Sequence, residues 1–405
     1  MYNFDSFAHG YGSTYSKNAE KRIIECLLKE PFFRKTEIHR LIATYPNSPN
    51  VDKNKIIIRI MELIWAKNKS FDTFRAFDHF LSIPKRSHFI HQFEVFLLGM
   101  NIILSAKDKG CDLKKYFEFE TIDEITYCWL FTSAAHDFGY PVESFENIIG
   151  KLSDLYSEFG LKKVSEQLNR IKIKNILELE PEFSKLLLPS PEPGEMITIN
   201  DIGSIVFNEV CNSLEINDGD KNKINELQHQ LITENNHGYV SAILLYKAIV
   251  QSMNEEGTHS TSWMHNAVKK AIAAVCLHSL TIDEAKDDSF FIKRISFHRN
   301  PYAFLLFLID NIQDWNRSNF PDIGDKWAEY FLDRFSVDSS LITMNYRINH
   351  ERWEDQDRIM VNKFLINKKK MLEMIIPHPE KMNITVRVNF ASNIGEEFEP
   401  IVIII

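Results

Sequence analysis

This 405-residue chain has little cysteine and none of it in a bridging or metal-binding pattern. Its five cysteines (Cys26, Cys111, Cys128, Cys211 and Cys276) are odd in number, far apart and mostly set in apolar runs, with no C-x-x-C among them. That excludes a thiolate zinc site and a disulfide framework as expectations and leaves buried thiols in a reducing compartment. A basic excess is also missing. Lys and Arg total 47 against 56 Asp and Glu, a formal net charge of −9, so neither nucleic acid nor an anionic membrane is an expected partner. Long apolar runs are absent as well. The longest, Ala271 to Leu277 and Ala303 to Ile309, fall far short of the ~20 residues needed to span a bilayer. The opening segment, MYNFDSFAHGYGS, has neither the basic nor the apolar part of a secretory signal. A cytoplasmic protein without membrane spans is the expectation.

What is present is an ordinary globular composition, 44% hydrophobic and 25% charged, in a chain longer than one small domain. Ser16 to Ser70 reads as short helices separated by turn signals such as Pro46-Asn47-Ser48-Pro49. From Phe71 to about Asp333 apolar residues recur at three- and four-residue spacing, through HQFEVFLLGMNIIL, DEITYCWLFTSAAHD, YVSAILLYKAIV, AVKKAIAAVCLHSL and PYAFLLFLIDNI. In the last of these Asn300 is an N-cap candidate and Pro301 stands at the first helical position. The three prolines and one glycine of Leu187 to Glu195 require a loop.

The tail differs. SSLITMNYRI reads as a strand, Glu354 to Ile376 as a helix, and MNITVRVNF and PIVIII as further strands. The fold expected is therefore mainly α, a helical bundle with a small C-terminal α/β appendage. Its parts are a helical segment over 1–70, a helical domain over 71–333 with an insertion at about 141–235, and a β-α-β region over 334–405. Lys368-Lys369-Lys370 reads as a solvated helix face.

Within the helical domain, four histidines and two aspartates sit on successive apolar helices. His91 opens HQFEVFLLG, and His136-Asp137 end a helix that Gly139 and Pro141 terminate. His237 begins a helix after Asn235-Asn236, His278 closes AIAAVCLH, and Asp310 interrupts FLLFLID. An ionised carboxylate in such a run is costly unless it is paired, hydrogen-bonded or bound to a cation. Imidazoles and carboxylates converging from several helices satisfy one another by holding metal. Adjacent His and Asp at a helix end point in different directions, so the carboxylate can bridge two ions while the histidine holds one. Nitrogen and oxygen donors suit manganese, iron, cobalt or zinc. Each ligand has a rival nearby: His88 for His91, His265 or His298 for His278, and Asp314 for Asp310.

The ordered set H…HD…H…H…D resembles the HD superfamily of metal-dependent phosphohydrolases in its six-ligand, two-metal variety. The likeness is carried by His91-Gln-Phe-Glu-Val, His136-Asp-Phe-Gly-Tyr-Pro, Asn-His237-Gly-x-x-Ser-Ala and LLFLIDNIQDW, and covers about residues 80 to 320. It implies an HD-type helical bundle and two divalent ions held by His91, His136, Asp137, His237, His278 and Asp310. It also implies hydrolysis of a phosphate ester, with a nucleotide as the substrate class and Asp137 and His136 at the reacting centre. Gaps of 45 residues from His91 to His136 and 101 from His136 to His237 exceed those of compact members. The lysine that often follows HD-x-G in the family is Tyr140 here, so no role attached to that lysine is carried over. Substrate-binding candidates are Tyr140, as a hydrogen-bond donor, and Arg86 and Arg317, as bidentate phosphate clamps. The same ligand order resembles the mixed-valent di-iron HD oxygenases, and a non-catalytic nucleotide-sensing module is a third reading. Self-association into a homo-oligomer stays open, and Trp315 reads as a core residue.

Overall fold

Apolar residues at helical spacing decide most of the chain's local structure. The computed structural model describes residues 37–45, 48, 50–64, 88–117, 122–170, 188–189, 196–197, 199–216, 219–228, 231, 236–256, 262–280, 295–313, 329–338, 341–349, 353–376 and 383–405. In chain order the helices are α1 (Glu37–Thr44), α2 (Asn50–Ile64), α3 (His88–Asp108), α4 (Leu113–Phe117), α5 (Ile122–Ala135), α6 (Tyr140–Glu158) and α7 (Lys162–Arg170). They continue with α8 (Ile199–Ser213), α9 (Lys221–Gln228), α10 (His237–Glu256), α11 (Ser262–Leu277), α12 (Pro301–Ile312) and α13 (Asp355–Leu372). The strands are β1 (Leu188–Pro189), β2 (Met196–Ile197), β3 (Ile295–Ser296), β4 (Glu329–Asp338), β5 (Leu341–Asn349), β6 (Ile375–Ile376), β7 (Thr385–Ser392) and β8 (Ile401–Ile404). The protein is mainly helical with a small α/β part, as expected. Residues 16–36 of the expected N-terminal helices lie outside the described residues.

The chain divides into two compact units. The first comprises Met1–Ile64, Pro84–Trp129 and Arg294–Ile405, the second Trp65–Ile83 and Leu130–Lys293. In the first, α3 is buried on every side from His91 to Ala106, the mark of a helix enclosed by others. α2 and α12 pack on it. Gly99 lies where α3 meets Trp129, and a Cβ there would overlap the indole ring. Trp129 is fully buried and its Nε1–H donates to the Phe96 carbonyl at 3.0 Å.

α12 starts as its sequence dictates. The Asn300 side chain accepts from Ala303 N at 3.0 Å, and Pro301 costs no hydrogen bond at the first position. Every side chain of α12 is buried except Asp310 and Asn311.

The C-terminal sheet has the order β4-β5-β7-β8, antiparallel, then parallel, then antiparallel. The parallel pair needs a crossover, which α13 supplies. Alternation is clean. Ile342, Met344, Tyr346 and Ile348 of β5 and Val386, Val388 and Phe390 of β7 are buried, and the paired rings of Tyr346 and Phe390 stack at 5.2 Å. β4 begins at Glu329, where the helical reading ran on to Asp333. The cause is a bulge between Leu332 and Arg334. The extra residue breaks the two-residue period yet lets Tyr330, Leu332, Phe335 and Val337 each pair with a buried-side residue of β5.

In the second unit α10 packs against α6, α8 and α11, and α8 also packs on α11. α7 folds back on α6, where the Ser153 and Ser165 hydroxyls meet at 2.7 Å. Leu188-Pro189 pairs antiparallel with Met196-Ile197 around residues 190–195, which lie outside the described residues. Two glycines let backbones approach closely. A Cβ at Gly139 would overlap the His237 carbonyl, and one at Gly238 would overlap the Ser279 hydroxyl.

Candidate metal centre

The second unit gathers four of the predicted ligands. His136 and Asp137 lie in the short turn between α5 and α6, which closes with Tyr140 N bonding to the Asp137 carbonyl at 3.0 Å. Gly139 N donates to Ser241 Oγ at 2.6 Å, tying this turn to the first turn of α10. His237 opens α10 behind Asn236, whose Oδ1 accepts from Gly238 N at 3.0 Å and Tyr239 N at 3.3 Å, an N-cap of the ordinary kind. The same Asn236 is hydrogen-bonded to Ser279, which follows His278 at the end of α11. One asparagine thus fixes the start of the His237 helix to the end of the His278 helix.

The side chains converge on Asp137. Its Oδ2 lies 3.4 Å from His136 Nε2, and its Oδ1 lies 3.6 Å from His278 Nε2 and 3.8 Å from His237 Nε2. The Nε2 atoms of His237 and His278 are 3.2 Å apart. His136, Asp137 and His278 are buried and His237 partly so.

Two ring states follow from the backbone. His136 Nδ1 lies 2.7 Å from the Ser133 carbonyl and His278 Nδ1 lies 2.6 Å from the Val275 carbonyl. A carbonyl only accepts, so each Nδ1 carries a proton and each ring turns its Nε2 toward the carboxylate. An Nε2 so presented beside a buried carboxylate either donates a proton to it or, deprotonated, shares a cation with it.

The geometry fits a metal ion. Donors held at about 2.1 Å around one ion lie roughly 3 to 3.5 Å apart, close to the four distances of 3.2 to 3.8 Å found here. His136, Asp137 and His278 offer ligand atoms that all lie within 4.8 Å of one another. Three imidazoles and a carboxylate suit manganese, iron, cobalt or zinc, and the carbonyls behind His136 and His278 are the outer partners that orient metal-ligating histidines.

The other two predicted ligands meet in the first unit. His91 Nε2 lies 2.8 Å from Asp310 Oδ1, with His91 2% exposed. His91 Nδ1 lies 2.6 Å from Gln313 Oε1, and Gln313 Nε2 donates to Glu94 Oε2 at 2.7 Å. Glu94 and Gln313 are buried too. Sequence reading missed both. Glu94 had a usable signal, a carboxylate one turn after His91 in a helix otherwise apolar; Gln313 had none.

Of the rival ligands, His298 is exposed in the turn before α12. His88 and His265 lie on α3 and α11 with side chains outside the described residues, as does all of Asp314. Tyr140 is 41% exposed and sets its ring edge-on to His237 at 5.7 Å between centroids. Arg86, Trp315 and Arg317 lie outside the described residues.

Lys368 corrects the reading of its run as a solvated face. It is 7% exposed, its ammonium lies over the Phe364 ring, and Nζ donates to the Asn311 carbonyl. Tyr346 Oη–H donates to the next carbonyl, Ile312, at 2.7 Å. The C-terminal region therefore occupies two of the last carbonyls of α12, the turn that bears Asp310. A helix end needs such donors, and a cation suits its negative pole.

No family model, curated protein or solved structure matches this chain. Among the described residues no helix is long and apolar enough to cross a membrane.

Proposed function

We propose that the protein is a metal-dependent phosphohydrolase acting on a nucleotide or another phosphate ester through a dinuclear metal site. The observation that carries this reading is the buried Asp137 carboxylate faced by three imidazole nitrogens, two of them turned inward by helix carbonyls that hold Nδ1–H. His136, Asp137, His237 and His278 would hold one ion, and the sequence resemblance assigns His91 and Asp310 as donors to the second. Divalent ions so bound supply a water of lowered pKa and neutralise charge on phosphoryl oxygens. Asp137 and His136 keep that charge at a fixed point. Tyr140, exposed beside His237, presents a hydroxyl that can donate to the substrate's phosphate. Arg86 and Arg317 are the proposed guanidinium clamps.

The test is metal analysis of anaerobically purified protein, then a nucleotide panel and a chromogenic phosphodiester with manganese or cobalt. Metal-dependent hydrolysis that is lost in His136→Ala and Asp137→Ala is the expected result. Two bound irons with an oxidised di-iron absorption band and no hydrolysis would transfer the same ligands to oxygenase chemistry. Unchanged metal content in both variants would sink the metal reading and favour a non-catalytic nucleotide-sensing module.

A further inference from the structure

Glu94 reaches His91 through Gln313 and is 3% exposed inside α3. A carboxylate buried at that depth is expensive unless its oxygens are used. Its use is directional. A carboxylate only accepts, so the Gln313 amide must turn its NH2 toward Glu94, and the 2.7 Å contact is that bond. The amide's other end, Oε1, then faces His91 Nδ1 at 2.6 Å and also only accepts. A proton of His91 is therefore placed on Nδ1, and Nε2 faces the Asp310 carboxylate at 2.8 Å, where it donates a second proton or binds a metal ion in its place.

We infer that Glu94 and Gln313 are positioning residues that hold the His91 proton on Nδ1, so that Nε2 is presented as a metal ligand. The inference rests on the metal-site reading above for its purpose but not for its geometry. All three side chains are at most 3% exposed, so water does not compete for the bonds. Glu94 lies three residues after His91 on the same helix, so the two ends of the relay keep a fixed spacing. The Gln313 end is held by its own backbone, whose N–H bonds to the Ile309 carbonyl at 2.8 Å. Neutralising Glu94 removes the charge that orients the Gln313 amide. A reversed Gln313 amide would donate to His91 Nδ1, push the ring proton to Nε2 and block ligation there.

The test is a charge-order exchange. Glu94→Gln preserves shape, and should lower Mn2+ affinity about tenfold, the lower end of what outer partners of metal ligands contribute. Gln313→Glu sets two carboxylates against each other and should also weaken binding. The double variant Glu94→Gln/Gln313→Glu again has one amide donating to one carboxylate, now with the carboxylate next to His91, and should regain most of the lost affinity. Mn2+ binding by calorimetry reads the cycle. The proton is read without metal, in chelator, as the hydrogen-bonded Nδ1–H resonance of His91 in 15N-histidine-labelled protein, identified by its loss in His91→Gln and told from Nε2–H by the two-bond couplings of each nitrogen to the ring carbon protons. It should be present in the wild type and the double variant and weakened in Glu94→Gln. Wild-type Mn2+ affinity in Glu94→Gln, or a double variant no better than Glu94→Gln alone, overturns the inference, as does absence of the resonance from the wild type. A wild type that binds no divalent ion but shows the resonance, lost in Glu94→Gln, supports the relay and instead defeats the phosphohydrolase reading.

Discussion

Asp137→Asn should reverse its effect on stability when metal is added. Without metal and with both rings neutral, the wild type sets Nε2 of His136 and His278 against the Asp137 carboxylate at 3.4 and 3.6 Å. The substitution keeps the shape, removes the charge and adds an NH2 that can donate to one of those nitrogens. One net hydrogen bond is worth about 1 kcal/mol, and in a unit of this size that is roughly 2 to 4 °C in Tm. With metal at a hundred times its Kd, the wild type gains about 2.7 kcal/mol by mass action, while a variant without the Asp137 carboxylate gains little. Thermal unfolding at about pH 8 should therefore show the variant melting higher in chelator and lower in excess Mn2+. A variant that melts lower than the wild type in chelator refutes the argument from facing lone pairs. A metal-induced rise equal to the wild type's refutes the placing of the ion on Asp137.

Three further outcomes follow from packing. Gly99→Ala pushes a methyl group into the buried Trp129 ring and should destabilise by about 1 to 3 kcal/mol in urea unfolding, the usual range for overpacking. Tyr346→Phe leaves the Ile312 carbonyl without its donor and should cost about 1 to 3 kcal/mol; it should also weaken Mn2+ binding, since that carbonyl belongs to the turn bearing Asp310. Burial pushes the Cys128 thiol up to about 12. Its neutral form is favoured by folding, so the stability this gives is intact below the unfolded value of about 8.5 and declines as pH rises toward 12. Alkaline melting curves should fall less steeply in Cys128→Ala, and thiol labelling of the folded protein at neutral pH should reach Cys111, partly exposed, before Cys128.

Much of the local structure was legible because its causes are local. Asn300-Pro301 and Asn236-His237 announced helix starts that the structure has, and the apolar spacing around them could only be helical. Where a long-range feature intervened, local reading failed. The bulge at Leu332–Arg334 disguised β4, since its extra residue disrupts the alternation and brings Phe331 and Phe335 to helical spacing. Lys368 looked like one of three solvated lysines; which of the three is buried depends on where α13 meets the end of α12, a matter of tertiary packing.

The candidate site divides in the same way. The sequence by itself determined the donor types, their order and the helix ends that carry them, because ionisable groups in apolar runs and caps beside histidines are visible residue by residue. Only the tertiary structure decided that His136, His237 and His278 turn Nε2 toward one carboxylate, and that a buried glutamate acts on His91 through Gln313. Those facts depend on which carbonyl or amide lies behind each ring, and such neighbours come from distant parts of the chain: Gln313 stands 222 residues from His91. Hydrogen bonds reach only about 3 Å, so the direction of each proton is set where the helices meet.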